Sequence, residues 1–227
     1  MIYALMAISI LALIFLPGQW VKYTMKRHGQ DRPDLPGTGG ELAVHLLERA
    51  GLDHVKVEVT LAGDHYDPIY KAVRLTAANH DGRSLTAVAV ATHEVAHALQ
   101  DASGYQPLRW RTRLARAVHT IQRIGSGLLL ATPLIGLLTR APSVVLVEIG
   151  AGLALMSTSV IAHAVTLPVE LDASFKRALP ILEEGDYLDE RDLPAARKVL
   201  KAAAYTYIAA AMMSLLDIMR WLRLLRF

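Results

Sequence analysis

"THEVAHALQ", Thr92 to Gln100, decides how this chain is read. At 3.6 residues per turn, His93 and His97 stand one turn apart on the same helix face, so both imidazoles can reach one ion. Glu94 is rotated about 100° from His93, which places its carboxylate beside the ion rather than on it. From there it reaches a water at the metal and takes its proton, the role a zinc hydrolase asks of a general base. The bland alternative is the polar face of an exposed helix, and the flanking sequence decides between the two.

Upstream, Ser84 is an N-cap candidate for a helix from Ser84 to Gln100, whose run "LTAVAVA" reads as the buried flank of an active-site helix. This run is too short to span a bilayer, so cleavage within the membrane is the weaker reading. Further back, "VKVEVT" (55–60) and "KAVRLT" (71–76) alternate as strands, "AGDHYDP" between them reads as turn or loop, and "NHDG" turns the chain. The edge of "KAVRLT" is the place where an extended substrate is expected to pair. His65, Tyr66 and His80 flank these strands and read as surface positions, with an oxyanion donor as the sharper alternative. "ELAVHLLERAGL" (41–52) has helical periodicity and follows the linker "RPDLPGTGG" (32–40).

The chain is 53% hydrophobic and 20% charged, too apolar for an ordinary soluble domain and too charged to lie wholly in lipid. A soluble lobe on membrane helices satisfies both. Met1 to Val21 is uncharged and is followed by Lys22, Lys26 and Arg27, the pattern of an uncleaved anchor rather than of a signal peptide. Arg109, Arg111, Arg113, Arg116 and Arg123 precede the apolar run Ile124 to Thr139, and "APS" then turns the chain into Val144 to Val169. These two runs predict a transmembrane hairpin, with Glu148 interfacial near its turn and His163 toward the far end of its second span. Ala202 to Met219 is a further transmembrane or interfacial helix, followed by Arg220, Arg223 and Arg226.

The expected organisation is an anchor over 1–21, a soluble catalytic lobe over 22–123, the hairpin over 124–167, a returning segment over 168–201 and the C-terminal helix over 202–227. A net charge of +3, carried beside apolar runs without an aromatic stacking platform, points to the lipid bilayer and away from nucleic acid. With no cysteine there is no thiolate ligand or nucleophile, so any metal is held by histidine and carboxylate.

A catalytic zinc takes three protein ligands and keeps one open position. Two spans return the chain to the side it left, where it reads "TLPVELDASFKRAL" (166–179). Glu170, just after Pro168, is the first carboxylate there and the best third ligand, with Asp172 as the fallback.

"DHYDP" (64–68), "GRSLTAVAVATHEVAHALQDA" (82–102) and "TLPVELDAS" (166–174) together resemble the bacterial neutral zinc metallopeptidase family of membrane proteins, the YugP-like group. The resemblance runs from the first helix to about Arg177. It implies a mainly α membrane protein with a small α+β lobe of zincin-like, gluzincin type. His93, His97 and Glu170 would be the Zn2+ ligands, Glu94 the catalytic base, and a protein or peptide the substrate. Where related membrane-bound peptidases carry an aspartate four residues after the ligand glutamate, this chain has Ser174. Asp101, one turn after His97, is the expected replacement as the hydrogen-bond partner of a ligand histidine. The implied setting is the inner cell membrane, multi-pass, with a cytoplasmic lobe. The competing function is a non-catalytic, zinc-stabilised membrane scaffold that binds partner proteins.

Overall fold

The structure is a computed structural model that describes the backbone of residues 2–224, with the side chains of residues 1–11, 13, 119 and 220–227 left outside the description. The chain divides into two compact units, one made of Pro17–Arg109 and Leu167–Thr206, the other of Met1–Leu16, Trp110–Thr166 and Tyr207–Phe227. Each has its own packing logic.

The first unit begins in the C-terminal part of α1 (Ile2–His28) and continues through the linker to α2 (Gly39–Arg49). Thr38 and Glu41 form a reciprocal capping box there, an N-terminal device worth about 1 kcal/mol. Arg32 anchors the linker, with Nη1 and Nη2 donating to the two carboxylate oxygens of Asp192 at 3.1 and 2.9 Å. Gly39 admits no side chain, since a Cβ would fall 2.2 Å from the carbonyl oxygen of Asn79.

The strands are β1 (Lys56–Val59), β2 (His65–Asp67) and β3 (Ala72–Leu75), in the order β1-β3-β2, with β1 parallel and β2 antiparallel to β3. This corrects two expectations. "AGDHYDP" contains a strand, in which Tyr66 is buried opposite Val73. The "KAVRLT" strand is central and paired on both sides, so the sheet's edges are β1 and β2 instead. The one-turn α3 (Ala77–His80) leads to α4 (Leu85–Ala102), which Ser84 caps by accepting from the Ala87 amide at 3.0 Å.

Every residue of α4 from Leu85 to Ala98 is buried, so its small residues serve close approach on all sides rather than along one stripe. Around it lies a core that includes Leu47, Leu75, Leu182 and Leu200, each 2% exposed or less. Burial of each such leucine stabilises by about 1.5–3 kcal/mol. The last residues of α6 (Pro142–Leu171) pass into a π-helical segment, Asp172–Ala178, then α7 (Leu179–Glu184) and the first part of α8 (Leu193–Leu224). The π segment packs against α4.

In the second unit α5 (Gln106–Thr139) and α6 form the hairpin, turned at Arg140, whose φ of 51° lies in the left-handed region. The two helices meet at glycines, where a Cβ on Gly152 would sit 2.7 Å from Leu129. Such small-residue contacts suit helices in lipid, where apolar bulk gives no preference for association. Among the described residues three helical stretches are long and apolar enough to cross a membrane: Gln106–Thr139, Pro142–Glu184 and Leu193–Met219. Leu130, Leu138 and Val147 are each 70% or more exposed, which is costly in water and ordinary in a bilayer. Glu148, expected at the membrane interface near the turn, is buried between the hairpin helices and accepts from the Thr132 hydroxyl at 3.0 Å. Tight packing of the hairpin near its turn removes it from solvent. The anchor expected over Met1 to Val21 has helical backbone from Ile2 onward, but most of its side chains lie outside the described residues, as do those of Arg220, Arg223 and Arg226.

Candidate metal centre

Two helix faces build the site. On α4, His93, His97 and Gln100 recur at i, i+4 and i+7, and on the chain from α6 into the π segment, Glu170 and Ser174 recur at i and i+4. The buried Ala96 and Ala173 are small enough for the two elements to approach closely.

Glu170 is 1% exposed, and His93 and His97 are each 3% exposed. Glu170 Oε2 lies 3.1 Å from His93 Nε2 and 3.3 Å from His97 Nε2. Among the described residues these three are the group of at least three His and carboxylate side chains placed to hold a metal, with ligand atoms mutually within 4.8 Å. Glu94 is buried on α4 beside them, at 7% exposure.

The opposite ring atoms fix the tautomers. Gln100 Nε2 donates to the Val169 carbonyl at 3.0 Å and to Asp172 Oδ1 at 2.8 Å, which leaves Gln100 Oε1 to accept from His97 Nδ1–H at 2.9 Å. Ser174 donates its one proton to the Leu200 carbonyl at 3.1 Å, so its oxygen accepts from His93 Nδ1–H, also at 3.1 Å. Both Nε2 atoms therefore present lone pairs toward a carboxylate oxygen. Three acceptors facing one another in a buried space repel unless a cation lies among them. The spacing suits zinc, because two donors each about 2.0–2.1 Å from a tetrahedral ion stand roughly 3.3 Å apart.

The expected residues thus fall as follows. His93, His97 and Glu170 converge, and Asp172 lies behind them, held by Gln100 and by Arg177 Nε at 2.9 Å. Asp101 lies elsewhere, accepting from the Tyr66 hydroxyl at 2.7 Å and from the Lys71 ammonium. Ser174 and Gln100, not Asp101, occupy the histidine Nδ1 atoms. Burial first, and then the bond to Asp101, push the Tyr66 hydroxyl well above the usual tyrosine range, so it remains a neutral donor pinning β2 to the end of α4. Gln100 has no ligand signature in the sequence, although its seven-residue offset from His93 marks the same face.

A buried pair of imidazoles with one carboxylate is donor chemistry for a borderline-soft divalent ion such as zinc, not for calcium or magnesium. The chain belongs to the family described as "Putative neutral zinc metallopeptidase", which matches residues 3–226. It is similar to "Putative membrane protease YugP" of Bacillus subtilis (strain 168), with 35% identity over 224 residues that cover 97% of this chain and 95% of that protein. No solved structure matches.

Proposed function

We propose that this protein is a multi-pass membrane zinc endopeptidase, with a zincin-like lobe in which His93, His97 and Glu170 hold the metal and Glu94 is the general base. The observation that carries this reading is the convergence of both Nε2 lone pairs on Glu170 Oε2. A zinc ion held by His93, His97 and Glu170 would supply Lewis acidity and lower the pKa of water toward about 7. Glu94 accepts the proton of the attacking water and delivers it to the leaving amine nitrogen, so one carboxylate serves both halves of the hydrolysis. Gln100 and Ser174 hold the imidazoles in the tautomers that present Nε2. Extended substrate pairs on the edge of β2, the edge strand tied to α4 through Tyr66 and Asp101. The basic residues Lys22, Lys26, Arg27 and the arginines of early α5 support a lobe on the cytoplasmic face of the inner membrane.

A closed, structural zinc scaffold would have no use for Glu94. Full-length wild type and Glu94→Gln, purified in detergent, are compared for zinc content and for cleavage of an unfolded protein. Stoichiometric zinc in both, with cleavage reduced at least about a hundredfold in Glu94→Gln, is expected. Full cleavage by Glu94→Gln would sink the assignment.

A further inference from the structure

Within the unit made of Met1–Leu16, Trp110–Thr166 and Tyr207–Phe227, three helices line a partly open cavity of about 370 Å3. It is lined by one face of each: Arg111, Val118 and Gln122 from α5, Ser159 and His163 from α6, and Tyr207 from α8. Arg111 is the one permanent cation among its described lining residues. Arg111 donates to the Tyr207 hydroxyl while its guanidinium lies 5.1 Å from the centre of the same ring, an arrangement that fixes the cation in place. No carboxylate is among the described lining residues, and Gln122 and His163 add further N–H donors.

The cavity is also elongated. Arg111 and Gln122 are separated by roughly 16 Å along α5, at 1.5 Å per residue, and the lining between them is largely apolar. A free phosphate would fill only the cationic end. An amphiphile with a phosphate at one end and an acyl chain beyond it fits the whole length, and Arg111 belongs to the basic run that precedes an apolar span, where anionic headgroups gather.

We infer that this cavity is a specific site for an anionic phospholipid, with the phosphodiester on Arg111 and one acyl chain lying along α5. The site is independent of the metal centre and of any peptidase activity. It differs from general attraction of the arginine run to the membrane in resting on one guanidinium and one cavity.

The test uses the full-length chain reconstituted in phosphatidylcholine containing a minor fraction of phosphatidylglycerol, with retained lipid read by native mass spectrometry. Wild type should retain phosphatidylglycerol selectively, and Arg111→Gln should lower that retention about tenfold or more. Arg111→Lys should recover part of it. Arg113→Gln, which removes an equal charge from an exposed position on the same helix, should stay within about twofold of wild type. Ser159→Leu fills the cavity without altering the guanidinium and should expel the lipid while zinc content is unchanged, which keeps the inference testable if Arg111→Gln fails to fold. Equal losses in Arg111→Gln and Arg113→Gln, unaltered retention in Ser159→Leu, or no selectivity in wild type would each overturn the site. Complete displacement by millimolar inorganic phosphate would overturn the lipid in favour of a free anion.

Discussion

Two glutamates on α6, Glu148 and Glu170, are both buried, yet their surroundings differ in kind. Glu170 faces two imidazole nitrogens whose protons are held on the far side of each ring. Glu148 meets one threonine hydroxyl, and its second oxygen has no hydrogen-bond partner among the described residues. Burial alone therefore does not make a carboxylate a ligand. Convergent lone pairs mark one as a candidate ligand, because they create a space whose repulsion a cation would relieve.

The widest gap between the two should appear on truncation. Glu170→Ala should lower zinc affinity by more than the roughly 10–100-fold expected for loss of an outer partner, whereas Glu148→Leu should leave it unchanged and alter only the thermal stability of the hairpin. Chelator competition on both variants checks this, and equal zinc loss from the two would break the comparison. Gln100→Ala comes next, with an expected loss of roughly 10–100-fold in zinc affinity, since it frees His97 Nδ1 and removes the bonds from Gln100 Nε2 to the Val169 carbonyl and Asp172. Ser174→Ala should fall at the low end of that range. The smallest effect belongs to Asp101→Asn, which weakens the contact to Lys71 and should cost about 1 kcal/mol in a melting experiment while leaving zinc affinity within about twofold. A zinc defect in Asp101→Asn as large as that of Gln100→Ala would reinstate Asp101 as the histidine's support.

Much of the lobe can be read from residue order because helical periodicity is local. The i, i+4 pair names His93 and His97, Ser84 marks where their helix starts, and the count of apolar runs returns Glu170 to the lobe. What stayed hidden depends on tertiary partners. β2 is three residues long among Gly63, Asp64 and Pro68, too short to display an alternating pattern. The central place of the "KAVRLT" strand follows from strand order, which alternation does not encode. Gln100 carries no ligand signature, since a neutral amide acts only once an imidazole Nδ1 stands beside it. Glu148 reads as interfacial from its distance to the turn, while its burial follows from the close packing of α5 on α6.

The central claim, that His93, His97 and Glu170 form one metal site with an open position, is tested most directly with the cobalt(II)-substituted full-length protein titrated with a small hydroxamate. Tetrahedral cobalt bands that change on adding hydroxamate, and that are absent from Glu170→Ala, are the expected result. Intense bands indifferent to hydroxamate would mean a closed, structural site and would contradict the peptidase reading.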